Sequence, residues 1–135
     1  MENCIFCGAD NHDVSKERVL YTDAYSSAVL DLYPHAPGHT LIIPKKHYRS
    51  IIEIPEADLR QLIVTVKKMA QRIAERLQPD GLTIGWNHGR MAGQIIDHLH
   101  IHIMPRFEGD GGGSVHSVVN NPPKESFAEM RKKLT

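Results

Sequence analysis

Apolar and polar residues alternate without a break over residues 98–103, which read His-Leu-His-Ile-His-Ile. Because a β-strand sends successive side chains to opposite faces, the alternation predicts a strand that ends near Met104, before Pro105. Its three apolar side chains are expected to enter a core, while the three histidines share the other face. An exposed strand face would normally mix Thr, Lys, Glu and Ser, so three imidazoles indicate chemistry rather than packing.

Other short runs rich in β-branched and aromatic residues predict four further strands. The first two form a hairpin around a short turn, and Pro44 ends the third. Loops with Pro and Gly separate the later strands. These strands are placed at residues 18–22, 25–31, 39–43 and 82–87.

One long helix is predicted to begin at Pro55, with Glu56 and Asp58 in the first turn, where the helix dipole favours anions. Pro79 and Gly81 end it. Between these limits, apolar residues recur every three or four positions, which is the spacing of one buried helix face. The predicted buried face comprises Leu59, Leu62, Ile63, Val66, Ala70, Ile73 and Leu77.

Strands around one dominant helix indicate an α+β protein with a mostly antiparallel sheet. A short helix is expected near residues 124–134, after a Gly-rich loop and the Pro122-Pro123 pair. The chain has 135 residues, which suits a single domain with a proper core. We assign residues 1–107 to the main body of that domain and residues 108–135 to its C-terminal loop and helix.

Charge and hydropathy narrow the possible functions. Lys and Arg total 16, as do Asp and Glu, and this balance argues against a general nucleic-acid binder. The sequence has no long apolar run and no charged-then-apolar leader. We therefore expect a soluble, cytoplasmic protein without a membrane partner.

Cys4 and Cys7 are the only cysteines of the chain. Two intervening residues make a poor spacing for a structural disulfide and a good one for a metal. A structural zinc needs four ligands, so histidines would have to complete the site. A redox pair is disfavoured because such a motif normally opens a helix after a strand.

The three histidines permit two chemical interpretations. In one, His98, His100 and His102 all bind a catalytic zinc that keeps an open position for water. In the other, the middle imidazole attacks phosphorus and its neighbours orient it. Gly38-His39 and Gly93-Gln94 favour phosphorus, because backbone N–H groups beside glycine can approach a phosphate closely.

Two blocks of sequence resemble the motifs of the histidine triad (HIT) family of nucleotide-binding proteins. Residues 93–106 read Gly-Gln-Ile-Ile-Asp-His-Leu-His-Ile-His-Ile-Met-Pro-Arg, and residues 31–47 resemble the family's other conserved block. Ile5-Phe6 and Asn87 also match in order, so the resemblance covers residues 4–106. It implies a HIT-like fold and a homodimer that binds a nucleotide.

The resemblance also implies a catalytic role for three histidines. In the family the central triad histidine, here His100, attacks the α-phosphorus and forms a nucleotidyl intermediate that water hydrolyses. Its neutral Nε2 must face phosphorus, so its Nδ1–H needs an acceptor, usually a backbone carbonyl. His102 resembles the third triad histidine, which lies by the leaving group and assists proton transfer. His39 matches a fourth histidine that supports the hydrogen-bond network.

A nucleotide site and a metal site follow from the same resemblance. Asp31 matches the residue that binds the ribose hydroxyls, and Asn87 and Gln94 match positions that contact phosphate or the leaving group. The residues expected to wall the base are Ile5, Phe6 and Leu32. Many bacterial members are similar in having a structural zinc, whose four ligands would here be Cys4, Cys7, His47 and His98.

One position departs from part of the family. Some members that cleave phosphoramidates carry a serine after the Gly-Gln pair, whereas this chain has Ile95, which cannot donate a proton. We expect a nucleotide hydrolase or transferase that acts at the α-phosphate, with dinucleoside polyphosphates favoured over nucleoside phosphoramidates. The alternatives are a nucleotide-binding scaffold with little turnover and, in a different class, a zinc hydrolase.

Overall fold

The computed structural model describes residues 4–7 and 15–135. In this part of the chain five strands form one antiparallel sheet in the order β1-β2-β3-β5-β4. The long helix is α1, Glu56–Leu77, and the short C-terminal helix is α2, Phe127–Leu134. The strands are β1 Val19–Thr22, β2 Ser26–Leu30, β3 Thr40–Pro44, β4 Gly81–Gly85 and β5 Ile101–Arg106. The predicted α+β class, with an antiparallel sheet, one long helix and one short helix, is confirmed.

Helix α1 packs against the middle of the sheet through one apolar face. Of the predicted face, Leu62, Val66 and Ile73 are buried, and Leu59 and Ala70 pack at the edge of the same core. Ile63 and Leu77 are each 44% exposed, so their predicted burial is wrong. The buried face of α1 instead includes Thr65 and Met69. The Thr65 hydroxyl is satisfied at 2.7 Å by the Ser26 hydroxyl, which allows a polar residue to be buried there.

The regular part of the histidine strand is shorter at its start than the alternation predicts. β5 begins at Ile101 and continues through Pro105 to Arg106. Before it, the Leu99 N–H donates to the Tyr48 carbonyl at 2.7 Å, outside the sheet ladder. Pro105 fits inside the strand because the pairing of β5 with β3 ends two residues earlier, at Ile103, so the missing N–H costs no bond on that side.

The C-terminal segment is tied to the sheet by Arg106. Its guanidinium donates to the Asp110 carboxylate, to the Gly113 carbonyl and to the Thr83 hydroxyl. Helix α2 begins with Ser126 as its N-cap, since the Ser126 hydroxyl accepts from the Glu129 N–H. No helix of the described ranges is both long enough and apolar enough to cross a lipid bilayer.

Candidate functional site

The three histidines of the motif divide between two clusters. His98 is fully buried, and its Nδ1 lies 3.4 Å from Cys4 Sγ and 3.2 Å from His47 Nδ1. His100 and His102 face each other instead, with ring centroids 5.1 Å apart. Leu99, Ile101 and Ile103 all enter the core, as the alternation predicts, and the Phe6 ring contacts both His98 and His100. The division between two clusters removes support for one catalytic zinc on all three rings.

The first cluster brings together four side chains that could hold a metal ion. Its four members are Cys4, Cys7, His47 and His98. The Nδ1 atom of His98 is 3.6 Å from Cys7 Sγ, and His47 Nδ1 is 3.2 Å from the same sulfur. Ligands about 2.0–2.3 Å from a zinc ion lie about 3.3–3.8 Å apart at tetrahedral angles. The four separations given above agree with that range to within about 0.1 Å.

A hydrogen bond holds His98 in the tautomer that a metal ligand needs. Its Nε2 lies 2.8 Å from the Pro44 carbonyl oxygen, and a carbonyl only accepts, so Nε2 carries the proton. The lone pair of Nδ1 is then directed at the sulfurs. The bond from Nε2 to Pro44 is an outer hydrogen bond of the kind that orients metal-binding histidines. Burial lowers the pKa of His98 to about 4, so the ring is neutral near pH 7, as a ligand must be. Burial, and then the neighbouring Cys4, raise the pKa of the Cys7 thiol.

The second cluster contains the candidate nucleophile. His100 donates from Nδ1 to the carbonyl oxygen of His98 at 2.8 Å. This bond holds a proton on Nδ1, so in the uncharged form of the ring the lone pair is on Nε2. The Phe6 ring meets the His100 ring edge-on, with centroids 5.1 Å apart. A backbone carbonyl partner for Nδ1 is what the family resemblance implies for this position.

A chain of hydrogen bonds also sets the protons of His39 and His102. The backbone N–H of His35 donates to His39 Nδ1 at 3.1 Å, so the proton of a neutral His39 resides on Nε2. That Nε2 lies 2.9 Å from His102 Nδ1 and 3.4 Å from Asp31 Oδ2. His39 therefore donates to His102, and the proton of His102 resides on its own Nε2. The sequence carries no signal for the His35 contribution, because it comes from the backbone.

Electrostatics agree with neutral rings for His39 and His102. Burial, reinforced by the neighbouring His100 and His39, lowers the pKa of His102 to about 4. Burial also lowers the pKa of His39, against the opposing effect of the Asp31 carboxylate. Ligand atoms of Asp31, His39 and His102 are close enough together for a metal. The His35 N–H argues against one, because it keeps the His39 proton on the atom that would have to bind the ion.

Of the residues expected to bind the nucleotide, Asp31 and Phe6 contact this second cluster. Asp31 approaches His39, and its other carboxylate oxygen accepts the Tyr33 N–H at 2.9 Å. Phe6 is buried against His100, whereas Ile5 and Leu32 are 52% and 58% exposed. Side chains that wall a base site are covered only when a nucleotide is bound, so this exposure is compatible with that role. Asn87 is exposed and lies against Gly93, where an added Cβ would approach the Asn87 amide nitrogen to 3.3 Å.

Gln94 is placed differently from the other expected phosphate contacts. Its side-chain oxygen accepts the Gly89 N–H at 2.9 Å, and its amide nitrogen donates to the Arg49 and Ile96 carbonyls at 2.9 and 3.1 Å. The residue is 8% exposed. The Gln94 amide thus joins three loop segments, with both amide hydrogens donated and one hydrogen bond accepted by the amide oxygen.

Comparison with known proteins agrees with the fold and the motif. The model of the HIT domain family matches residues 12–109 of this chain. The chain therefore belongs to the HIT family, whose members bind nucleotides.

Individual relatives extend this match over most of the chain. "Protein hit" of Bacillus subtilis is 40% identical over 115 residues, 84% of this chain and 79% of that protein. Adenosine 5'-monophosphoramidase of Saccharomyces cerevisiae is 30% identical over 131 residues, 97% of this chain and 80% of that protein. The crystal structure of a HIT family protein from Bacillus anthracis superposes with a TM-score of 0.84 at 31% identity, covering 98% of this chain and 92% of the other. The HIT-like fold is confirmed.

Proposed function

We propose that this protein is a nucleotide hydrolase or transferase that cleaves at the α-phosphate through a nucleotidyl intermediate on His100. The observation that carries the proposal is the 2.8 Å hydrogen bond from His100 Nδ1 to the His98 carbonyl. It leaves a nitrogen lone pair on Nε2 of a neutral ring, which is the form of imidazole that attacks an electrophile.

The reaction takes two displacements at phosphorus. In the first, His100 Nε2 forms a bond to the α-phosphorus while the bond from phosphorus to the leaving group breaks. A leaving amine takes a proton from water, whereas a leaving phosphate departs as an anion. In the second displacement, the hydroxide left by that water attacks phosphorus and the bond to Nε2 breaks; after an anionic leaving group, a new water attacks instead and releases its proton to solvent. The products are a nucleoside monophosphate and the free leaving group.

His102 is the neighbour that stabilises these steps. Its Nδ1 accepts from His39, so its Nε2–H is free to donate to a phosphate oxygen or to the leaving atom. A donor fixed in place before the reaction stabilises the charge that develops there without reorganising. In this proposal His39 acts through His102, while Asp31 holds the ribose and Asn87 contacts the phosphate. Phe6, Ile5 and Leu32 enclose the base.

We further propose that Cys4, Cys7, His47 and His98 hold one structural zinc per chain. The support is the tetrahedral spacing of their ligand atoms and the second hydrogen bond of His98. Four protein ligands leave no open position, so the ion supplies structural stability and takes no part in the reaction. Reduced thiols are needed for this site, which fits the cytoplasm as the proposed location.

A homodimer is also proposed. Helix α1 exposes the consecutive residues Ile63 and Val64, which are 44% and 46% accessible, and Ile52, before the helix, is 82% accessible. Contiguous exposed apolar side chains are typical of an interface. Light scattering of the purified chain, expected at twice 15.2 kDa, tests this assembly.

The preferred substrate rests on two observations that point in different directions. A yeast relative is an adenosine 5'-monophosphoramidase, which favours nucleoside phosphoramidates. Ile95, which cannot donate a proton to a leaving amine, favours dinucleoside polyphosphates. The kcat/KM values for adenosine phosphoramidate and diadenosine polyphosphates, measured side by side, decide between them.

The test of the central proposal is release of AMP from both substrate classes by the wild type and by His100→Ala. We expect His100→Ala to lose at least about a thousandfold in kcat, since it removes the nucleophile. His116→Ala, which alters an exposed histidine of the C-terminal segment, is the matched control. Equal turnover by the wild type and His100→Ala would reject the nucleophile. Tight binding of AMP by calorimetry with no product release would favour a nucleotide-binding scaffold.

A further inference from the structure

A single peptide group joins the candidate nucleophile to the loop that follows β3. Its carbonyl oxygen, that of His98, accepts the His100 Nδ1–H at 2.8 Å. Its nitrogen, that of Leu99, donates to the Tyr48 carbonyl oxygen at 2.7 Å. Because the atoms of a peptide unit lie close to one plane, the bond to Tyr48 also sets the direction of the His98 carbonyl. Tyr48 therefore helps to aim the acceptor that orients the nucleophile.

This peptide group lies outside the hydrogen-bond ladder of the sheet. In the described part of the chain, β5 pairs with β3 from Ile101 onward and with β4 from His102 onward, and both positions come later in the chain. The bond from Leu99 to Tyr48 thus takes the place of a ladder bond here. Hydrogen bonds at the two ends of one peptide also polarise each other, which strengthens both. The contact with Tyr48 therefore supports the bond to His100 in its geometry and in its strength.

The Tyr48 side chain attaches this loop to helix α1. Its hydroxyl donates to an oxygen of the Asp58 carboxylate, and its ring packs against the buried core between helix and sheet. Asp58 lies in the first turn of α1, a regular helix of 22 residues, whereas Tyr48 lies in irregular backbone between β3 and α1. The hydrogen bond thus ties a loop residue to a regular element, which is how the supporting groups of a site are held in a precise geometry.

We infer that Tyr48 and Asp58 are positioning residues that orient His100. They act through the peptide group that joins His98 and Leu99, and this inference rests on the proposed attack by His100. The Asp58 carboxylate holds the Tyr48 hydroxyl, and the Tyr48 carbonyl holds the peptide whose oxygen accepts the His100 Nδ1–H. Because the pair acts on the orientation of the nucleophile, its loss lowers kcat more than it raises KM.

The test compares two tyrosines that form the same kind of hydrogen bond. Tyr48→Phe removes the hydroxyl that holds the loop to α1 and keeps the ring. Tyr21→Phe is the matched control, since the Tyr21 hydroxyl donates to Asp23 at 2.7 Å on β1, which two strands separate from β5. We expect Tyr48→Phe to lower kcat for AMP release about three- to tenfold, with KM changed by less than about twofold. Tyr21→Phe is expected to keep the wild-type kcat.

Two NMR measurements without substrate follow the contacts themselves. Hydrogen exchange of the Leu99 amide is expected to be about three- to tenfold faster in Tyr48→Phe than in the wild type. Nitrogen shifts of the His100 ring are expected to show a larger share of the tautomer with its proton on Nε2. A general loss of stability would change Tyr21→Phe to the same extent, so a difference between the two variants reports positioning.

Replacements of Asp58 test the other end of the contact. Asp58→Asn keeps an oxygen that accepts the Tyr48 hydroxyl, and its kcat is expected to stay within about twofold of the wild type. Asp58→Ala is expected to match Tyr48→Phe in kcat and in both NMR signals. The double replacement is expected to lose no more than either single one, because both remove the same hydrogen bond.

The outcomes separate this inference from the underlying reaction. Leu99 exchange and a His100 tautomer that are the same in Tyr48→Phe as in Tyr21→Phe would overturn the positioning role. Losses in Tyr48→Phe and Asp58→Ala that add up in the double replacement would overturn it as well. If the wild type releases AMP from neither substrate class, the proposed reaction fails, and the NMR measurements still decide whether the pair orients His100.

Discussion

The carbonyl oxygen of His98 accepts the Nδ1–H of His100 at 2.8 Å, while the ring of His98 lies among Cys4, Cys7 and His47. One residue thus contributes its side chain to the metal cluster and its backbone to the candidate nucleophile. A displacement of the His98 ring would move the acceptor that orients His100. The two clusters are coupled through this residue, and the Phe6 ring, which meets the His98 and His100 rings at 6.0 and 5.1 Å between centroids, is a second contact between them.

Loss of the metal should therefore impair catalysis without abolishing nucleotide binding. We expect Cys7→Ser to lower the zinc content well below one per chain and to reduce kcat by about 10- to 100-fold, with a smaller change in KM, because supporting groups of a site act on this scale. Elemental analysis and steady-state kinetics measure the two effects. Reversible loss of kcat in the wild type on chelation and zinc addition is the control. A fully active, zinc-free Cys7→Ser protein would contradict the coupling.

Replacement of His39 should change the tautomer of His102. His39→Ala removes the donor to His102 Nδ1, so the proton of His102 is no longer held on Nε2, and kcat is expected to fall at least about tenfold. Nitrogen NMR shifts of the His102 ring report the tautomer directly. His35→Ala keeps the backbone N–H that orients His39 and is expected to keep the wild-type His102 spectrum. A His102 spectrum unchanged in His39→Ala would contradict the hydrogen-bond chain.

Gln94 is expected to contribute to the folding stability of the protein more than to its affinity for a nucleotide. Gln94→Ala leaves the Gly89 N–H and the Arg49 and Ile96 carbonyls without their partner, and each buried unsatisfied group costs about 1–3 kcal/mol. We expect a loss of about 2–4 kcal/mol in the free energy of unfolding, measured in urea. The exposed Gln61→Ala on α1 should change it by less than about 0.5 kcal/mol. A raised KM with unchanged stability would instead identify Gln94 as a nucleotide contact.

The metal-free protein should lose stability as the pH falls from 7 to 5. The pKa values of His98 and His102 are about 4 in the folded chain, below their ordinary value of 6.5. Between these values the unfolded chain binds more protons, so the free energy of unfolding rises with pH. This stabilisation is complete above about pH 6.5 and is lost toward pH 4, with His98 alone contributing about 2 kcal/mol between pH 7 and 5.

Urea unfolding at several pH values, in the presence of a chelator, checks this dependence. Carboxylates stay largely ionised above about pH 5, so the change in the free energy of unfolding between pH 7 and 5 comes mainly from the histidines. His102→Gln is expected to reduce the loss, whereas the exposed His116→Gln should retain it. A free energy of unfolding that is flat from pH 7 to 5 would show that the two rings are not held neutral by burial.

Helices and strands in which apolar residues recur at a regular spacing were predictable from the sequence. Helix α1 repeats its apolar positions over 22 residues, and the alternation around Ile101 and Ile103 correctly separates buried from less buried positions. The exact stripe of α1 was less predictable, because Ile63 and Met69 are both apolar and only the sheet decides which one it covers. Membership of the HIT family also followed from the sequence, since its motif residues occur in order.

The sequence by itself determined the secondary structure, the antiparallel class and the set of histidines, cysteines and acidic residues available for chemistry. The family resemblance already grouped His98 with the cysteines, and His100 and His102 with His39; only the tertiary structure decided which backbone groups orient these rings. The physical reason is that the orienting groups belong to the backbone. The His98 and Pro44 carbonyls and the His35 N–H are present in every sequence, so no residue pattern reveals which of them a folded chain brings to an imidazole.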